Sequence, residues 1–190
     1  MPRKAGRGPE ETRRALLDAA GTVIRTRGIA ASLDEIARAA GVSKGGLLYH
    51  FPAKDALVRT LAQDLLDSFR AEVDAALDPA DTAPGRLTRA YVRASLDTSY
   101  DEVAIRENIA LIAQLISIPE IAELARADAE RWDRDLRADG LPGPVVTLVI
   151  AAADGASTAP LWGAGIDVTA ARELEQQLLD LTSGALSTRE

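Results

Sequence analysis

The sequence predicts an all-α fold of about nine helices. Three observations carry this. Hydrophobic residues make up 47% of the 190-residue chain and aromatics only 4%, so the core is built from Ala, Leu, Ile and Val; Ala and Leu are strong helix formers. Apolar residues recur at helical spacing in windows bounded by Gly, Pro and capping residues. No alternating strand pattern of useful length appears, and no internal repeat.

The first helix runs from Pro9 to about Thr26. Glu10 and Glu11 suit the positive end of its dipole. Leu16, Ala20, Val23 and Ile24 form its apolar stripe, and Gly28 stops it. Ser32 and Glu35 make a Ser-x-x-Glu capping box that opens the second helix. Leu33, Ile36, Ala37 and Ala40 are its inner face, and Gly41 ends it. Ser43 caps a short third helix to about His50, which Phe51-Pro52 terminates because proline disfavours helix in the residue before it. A long fourth helix begins near Ala53, with Leu57, Leu61, Leu65, Phe69, Val73 and Leu77 at four-residue spacing. Further helices are expected at about 84–98, 101–116 and 119–138. After the break Asp139-Gly140-Leu141-Pro142-Gly143-Pro144, two more follow at about 145–162 and 169–185.

Composition excludes several functions. The chain has no Cys and one His, so disulfides and the usual zinc sites are excluded. No phosphate loop or dinucleotide glycine pattern appears, and no cofactor is expected. No apolar run reaches the length of about eighteen residues that a membrane span needs. The opening MPRKAGRGPEETRR lacks the apolar stretch of a signal peptide, so a soluble cytoplasmic protein is expected. Net charge is −7, but unevenly placed: residues 1–54 hold ten Lys/Arg against five Asp/Glu, and residues 55–190 hold twelve against twenty-four. A basic head on an acidic body suits a protein that presents one end to phosphates.

Leu33 to Pro52 is the informative stretch. Two short helices cross steeply when the turn between them tolerates left-handed geometry, which Gly41 supplies, and when a small residue allows close approach, which Ala37 supplies. Ile36, Ala40, Val42 and Leu47 fall where apolar side chains pin both helices to the first. This is a helix-turn-helix pattern, in which the second helix enters the major groove. The segment GIAASLDEIARAAGVSKGGLLYHFPAKDAL, with the preceding ETRRALLDAAGTVIRTRG, resembles the DNA-binding segment of the TetR (tetracycline-repressor-like) family over about residues 10–60.

The resemblance implies a helix-turn-helix DNA-binding domain at 9–54 after a basic arm at 1–8. It implies a larger helical ligand-binding and dimerisation domain at 55–190. It also implies a homodimer on a palindromic duplex operator and an unknown small-molecule effector. Ser32 stands where the family touches phosphate at the second helix's start. Ser43, Lys44, Gly45 and Gly46 stand where base edges are read. Tyr49, His50 and Lys54 stand where the backbone is contacted. Leu48 departs from the family, which very often has tyrosine there. The glycines offer no side chains, so base reading rests on Lys44 and on close backbone approach. Arg3, Lys4 and Arg7 are candidates for added phosphate or minor-groove contacts.

In the larger domain Tyr100, Asn108, Trp132, Asp154 and Trp162 are candidate ligand contacts, with Tyr91 and Phe69 as further large rings. Each ring also reads as plain core. Asp154 interrupts VVTLVIAAADGAS, a helix expected to be buried, so its carboxylate needs a partner; a subunit-interface bond is the favoured role. Leu148 and Leu178 are expected at that interface. The expected function is a repressor released from DNA by a ligand. An activator or ligand-independent regulator is the alternative, and a carboxylate enzyme or a helical adaptor are remote ones.

Overall fold

The computed structural model describes residues 8–97, 102–162 and 167–184, and no strand occurs among them. Nine α-helices are described: α1 (Pro9–Arg27), α2 (Leu33–Ala40), α3 (Lys44–His50), α4 (Lys54–Ala75), α5 (Arg86–Ser95), α6 (Glu102–Leu115), α7 (Pro119–Arg137), α8 (Gly143–Thr158) and α9 (Val168–Thr182), with a 3-10 turn at Ala159–Trp162. None of them alone is long and apolar enough to cross a membrane. The chain packs as two units, one within Met1–Leu65 and Ala110–Leu124, the other within Leu66–Ile109 and Ala125–Glu190. The boundary falls inside α4, α6 and α7, so each of these helices belongs to both units.

The first unit is organised by its caps. Pro9 opens α1, where its missing N–H would be unpaired anyway. The α2 capping box forms: the Glu35 N–H donates to Ser32 Oγ at 3.3 Å, and Glu35 Oε2 accepts from the Ser32 N–H and hydroxyl, both at 2.8 Å. Gly41 adopts φ 71°, ψ 30°, the left-handed turn that lets α2 end and α3 begin within three residues. The Gly46 N–H donates to Ser43 Oγ at 3.0 Å and so caps α3. Leu16, Ala20 and Ile24 of α1, Ile36 and Ala37 of α2, Leu47 of α3 and Phe51 share one buried core with Leu57 and Leu61 of α4 and Leu111 and Leu115 of α6. Arg13 stacks its guanidinium over the Phe51 ring, 4.5 Å from the centroid.

The second unit closes around α5, α8 and α9. Gly85, at the start of α5, has no side chain to cap with. The Asp139 carboxylate takes that role, accepting from the Thr88 N–H at 2.7 Å and hydroxyl at 2.9 Å. Thus the break at 139–144 is also the cap of a distant helix. Arg89 is 5% exposed and fully engaged. It grips Asp81 through Nε at 2.7 Å and Nη2 at 2.8 Å, and donates Nη1 to the carbonyls of Pro84 and Thr182. This bidentate pair fastens the 78–85 loop to the end of α9. It also holds the Asp81 carboxyl below the ordinary aspartate range.

One expectation about this unit is corrected, at Leu178, and the expected burial of α8 is met within the chain on one face only. The helix α8 is not buried all round: Val146, Val149 and Ala153 face the core, while Leu148, Ala151, Asp154 and Gly155 are exposed. Leu178, expected on a subunit interface, is 5% exposed and packs inside this unit's own core.

Candidate nucleic-acid interface

The exposed side of the helix-turn-helix is built from the first turns of α2 and α3. Leu47 is fully buried and anchors α3, which leaves Ser43, Lys44, Gly45, Leu48 and Tyr49 outward. Tyr49 is 84% exposed, the most exposed of the large hydrophobic side chains described, and its ring meets His50 edge-on at 5.2 Å. His50 itself is half-buried. The Ser43 oxygen is occupied as a cap acceptor, which leaves its O–H as a donor. The Ser32 N–H and hydroxyl both already donate to Glu35, and these bonds, the N–H first, hold the Glu35 carboxyl below the usual glutamate range. No Cβ contact closer than 3.9 Å would meet a side chain at Gly45, so the α3 backbone there is open to approach.

The two lysines are engaged within the protein. Lys44 Nζ lies 2.8 Å from Asp34 Oδ2, each side chain 55% exposed. Half-buried Lys54 donates to the Ile29 carbonyl, tying the start of α4 to the turn between α1 and α2. Arg14 is paired with Asp18 and Asp64, both at 2.7 Å, and these hydrogen bonds raise its guanidinium further above neutrality. The arm residues Arg3, Lys4 and Arg7 lie outside the described residues.

Of the five candidate ligand contacts of the larger domain, three have described side chains, and these line no common cavity among the described residues. Tyr100 and the Trp162 side chain lie outside the description. Asn108 is exposed on α6. Trp132 and Asp154 are linked through Tyr91. The rings of Phe69, Tyr91 and Trp132 lie 5.2–5.7 Å apart in edge-on contacts, and the Tyr91 hydroxyl donates to Asp154 Oδ1 at 2.6 Å. Burial, and then the Asp154 carboxylate, push the Tyr91 phenol well above its ordinary pKa, so it stays a donor. Arg70 stacks on Trp132 at 4.2 Å and pairs with Asp128 at 2.7 Å. The Trp132 indole N–H is buried without a partner.

A cavity of about 460 Å³ lies elsewhere in this unit, with Ala75, Ala76, Ala94 and Leu96 on its wall and Arg93 and Arg172 among its charged groups. Arg93 Nη1 is buried and unpartnered. Sequence reasoning missed this cavity, because its residues come from α4, α5 and α9 and carry no local motif. It missed Asp34 for the same reason: no helical period joins it to Lys44.

Comparisons with known proteins converge. A family model described as "Tetracyclin repressor-like, C-terminal domain" matches residues 85–183, just over half the chain. One described as "Bacterial regulatory proteins, tetR family" matches residues 16–61. The chain is 34% identical over 106 residues to the HTH-type transcriptional repressor KstR2 of Rhodococcus jostii, covering 53% of this chain and 51% of that protein. It is 35% identical over 99 residues to the HTH-type transcriptional regulator RutR of Escherichia coli, covering 52% and 46%. These matches thus span about half the length of the curated relatives. Among solved structures, the multidrug binding protein EbrR complexed with imidazole is similar with TM-score 0.64 and 25% identity, covering 94% of this chain and 96% of that one. A TetR-like transcriptional regulator from Rhodococcus sp. RHA1 shares the fold at TM-score 0.67 and 23% identity, covering 98% and 100%.

Proposed function

Because the chain belongs to the TetR family of bacterial transcriptional regulators, we propose that it is a homodimeric, cytoplasmic repressor that grips a palindromic operator through α3 and is released by a small molecule. The observation that carries the DNA reading is the outward face of α3. A capped first turn with open glycine backbone and a lysine stands next to a tyrosine left almost wholly in solvent. Serine O–H, helix-start N–H groups, lysine and tyrosine O–H are all phosphate or base-edge donors. Tyr49, His50 and Lys54 are assigned to backbone contacts, as is Ser32, whose hydroxyl would turn from Glu35 to donate to a phosphate; Ser43, Lys44, Gly45 and Gly46 are assigned to the base-reading turn.

A monomer offers one short reading helix, and specific recognition by this motif uses two half-sites about one helical turn apart. The exposed face of α8, with Leu148 57% exposed beside Ala151 and Gly155, supports a two-fold partner there. The cavity lined by Ala75, Ala76, Ala94 and Leu96, with the unpartnered Nη1 of Arg93 beside the carboxylates of Glu72, Asp97 and Glu175, supports a small polar effector that offers Nη1 a hydrogen-bond acceptor. EbrR, a structural neighbour, is described as a multidrug binding protein. An effector that binds better to a dimer whose reading helices are wrongly spaced shifts the population off DNA.

The test is selection from a randomised duplex pool. The reading predicts a two-fold consensus whose half-site centres lie about one turn apart. A pool that stays random after selection contradicts it.

A further inference from the structure

We propose that Asp34 is a specificity-determining positioning residue. It holds the Lys44 ammonium beside the first turn of α3 and withholds it from phosphates until a matching base edge supplies an acceptor. This rests on the DNA-binding reading above.

Asp34 is the second residue of α2 and Lys44 the first of α3. Only the tight turn at Gly41 brings them together, at 2.8 Å. Lys44 is the one long donor in the first turn of α3, and its neighbours Gly45 and Gly46 have no side chains to confine it. A lysine stem has large rotamer freedom, and the Asp34 carboxylate removes part of it before DNA arrives. An ammonium has three N–H donors, so one bond to Asp34 leaves two for guanine O6 and N7.

The carboxylate acts in a second way. Placed on the reading helices, it repels phosphates within the Debye length of about 8 Å. While Lys44 neutralises Asp34, it does not neutralise a phosphate. Both effects weaken binding to every duplex, and only a matching base edge offsets them. Specificity rises at the expense of bulk affinity.

A merely structural bridge between α2 and α3 predicts something different, and the two are separable. The full chain, with Asp34→Ala, Asp34→Asn, Lys44→Ala and the Asp34→Ala/Lys44→Ala pair, is titrated onto the wild-type consensus duplex and onto a shuffled duplex over a range of salt. Asp34→Ala is expected to bind the shuffled duplex about three-fold tighter and to lose about five-fold in the consensus-to-shuffled ratio, within the range one base contact supplies. Its salt slope on the shuffled duplex steepens by about one per subunit, because Lys44 now neutralises a phosphate. The double variant returns to the wild-type slope. Asp34→Asn steepens the slope in the same direction and serves as the second variant should the alanine protein fail to fold. An Asp34 variant with wild-type ratio and slope overturns the proposal, as does one that loses affinity equally on both duplexes with a lowered melting temperature. If the wild-type protein binds no duplex, the DNA-binding reading falls and this inference with it. Wild-type binding with unresponsive Asp34 variants overturns this inference alone.

Discussion

Tyr49 and Phe51 stand two residues apart at the end of one short helix and meet opposite environments, 84% and 1% exposed. Phe51 lies in the first unit's core under Arg13, where an aromatic ring contributes a large apolar area. Tyr49 contributes almost no burial, so its replacement tests function with little effect on stability. Tyr49→Ala should leave the melting temperature close to wild type. It should weaken binding alike on all duplex sequences, since phosphate contacts carry no base information; parallel melting and titration check both halves. Lys54 makes the contrast. Its bond to the Ile29 carbonyl fastens α4 to the turn before α2. Lys54→Ala should therefore lose about 1.5–3 kcal/mol of stability, the scale of a charge-assisted hydrogen bond, as well as affinity. Denaturant titration reads the first, and a Lys54→Ala protein as stable as wild type contradicts the internal anchor.

At the scale of the element, α3 trades stability for access. Its two glycines weaken a seven-residue helix by about 1 kcal/mol each relative to alanine. At Gly45 an added Cβ meets nothing closer than 3.9 Å in the free protein. Gly45→Ala should thus raise stability by up to about 1 kcal/mol and still weaken specific DNA binding, because the methyl occupies space the duplex needs. A Gly45→Ala protein with unchanged affinity refutes close backbone approach at this residue. The α2 cap adds a pH dependence. Hydrogen bonds from the Ser32 N–H and hydroxyl lower the Glu35 pKa in the folded state. The cap's contribution is therefore present above the unfolded glutamate pKa of about 4.3 and is lost as pH falls through the folded value. Glu35→Ala should flatten the acid side of the stability curve, measured by denaturant titration at a series of pH values. Gly85 marks an element junction that tolerates no side chain: its φ is +88° and an added Cβ would sit 2.8 Å from Leu141.

These elements were largely legible in the sequence because each is bounded by local chemistry. The Ser32–Glu35 box, Gly41, Ser43 and Pro52 fix α2 and α3 without reference to the rest of the chain. The sequence left out pairings that depend on tertiary approach. Lys44 with Asp34, Lys54 with Ile29, Thr88 with Asp139 and Arg89 with Thr182 have no period or motif that announces them. The cavity beside Arg93 is invisible for the same reason. Leu178 was misplaced because apolar composition does not distinguish burial inside one chain from burial against a second copy.

For the whole molecule, the outer face of α8 is the proposed seat of the two-fold partner. Leu148 is 57% exposed, whereas Leu178 is buried, so the two substitutions separate assembly from folding. Leu148→Glu should give folded monomers that have lost operator affinity. Leu178→Glu should lower stability outright, by the several kcal/mol that an unpaired buried charge costs. Sedimentation and thermal melting distinguish them, and a Leu148→Glu protein that remains a dimer moves the interface elsewhere. The charge is unevenly distributed along the sequence, net positive over residues 1–54 and net negative over residues 55–190, which suits a protein whose first segment meets a polyanion. Recognition of a duplex operator through α3 is tested by the affinity of the full chain for its selected duplex as a function of salt. Log K is expected to fall linearly with log salt, with a slope set by the phosphates neutralised by both subunits, and affinity for the consensus is expected to exceed affinity for shuffled DNA at every salt concentration. A salt-independent affinity, or equal affinity for both duplexes, would contradict it.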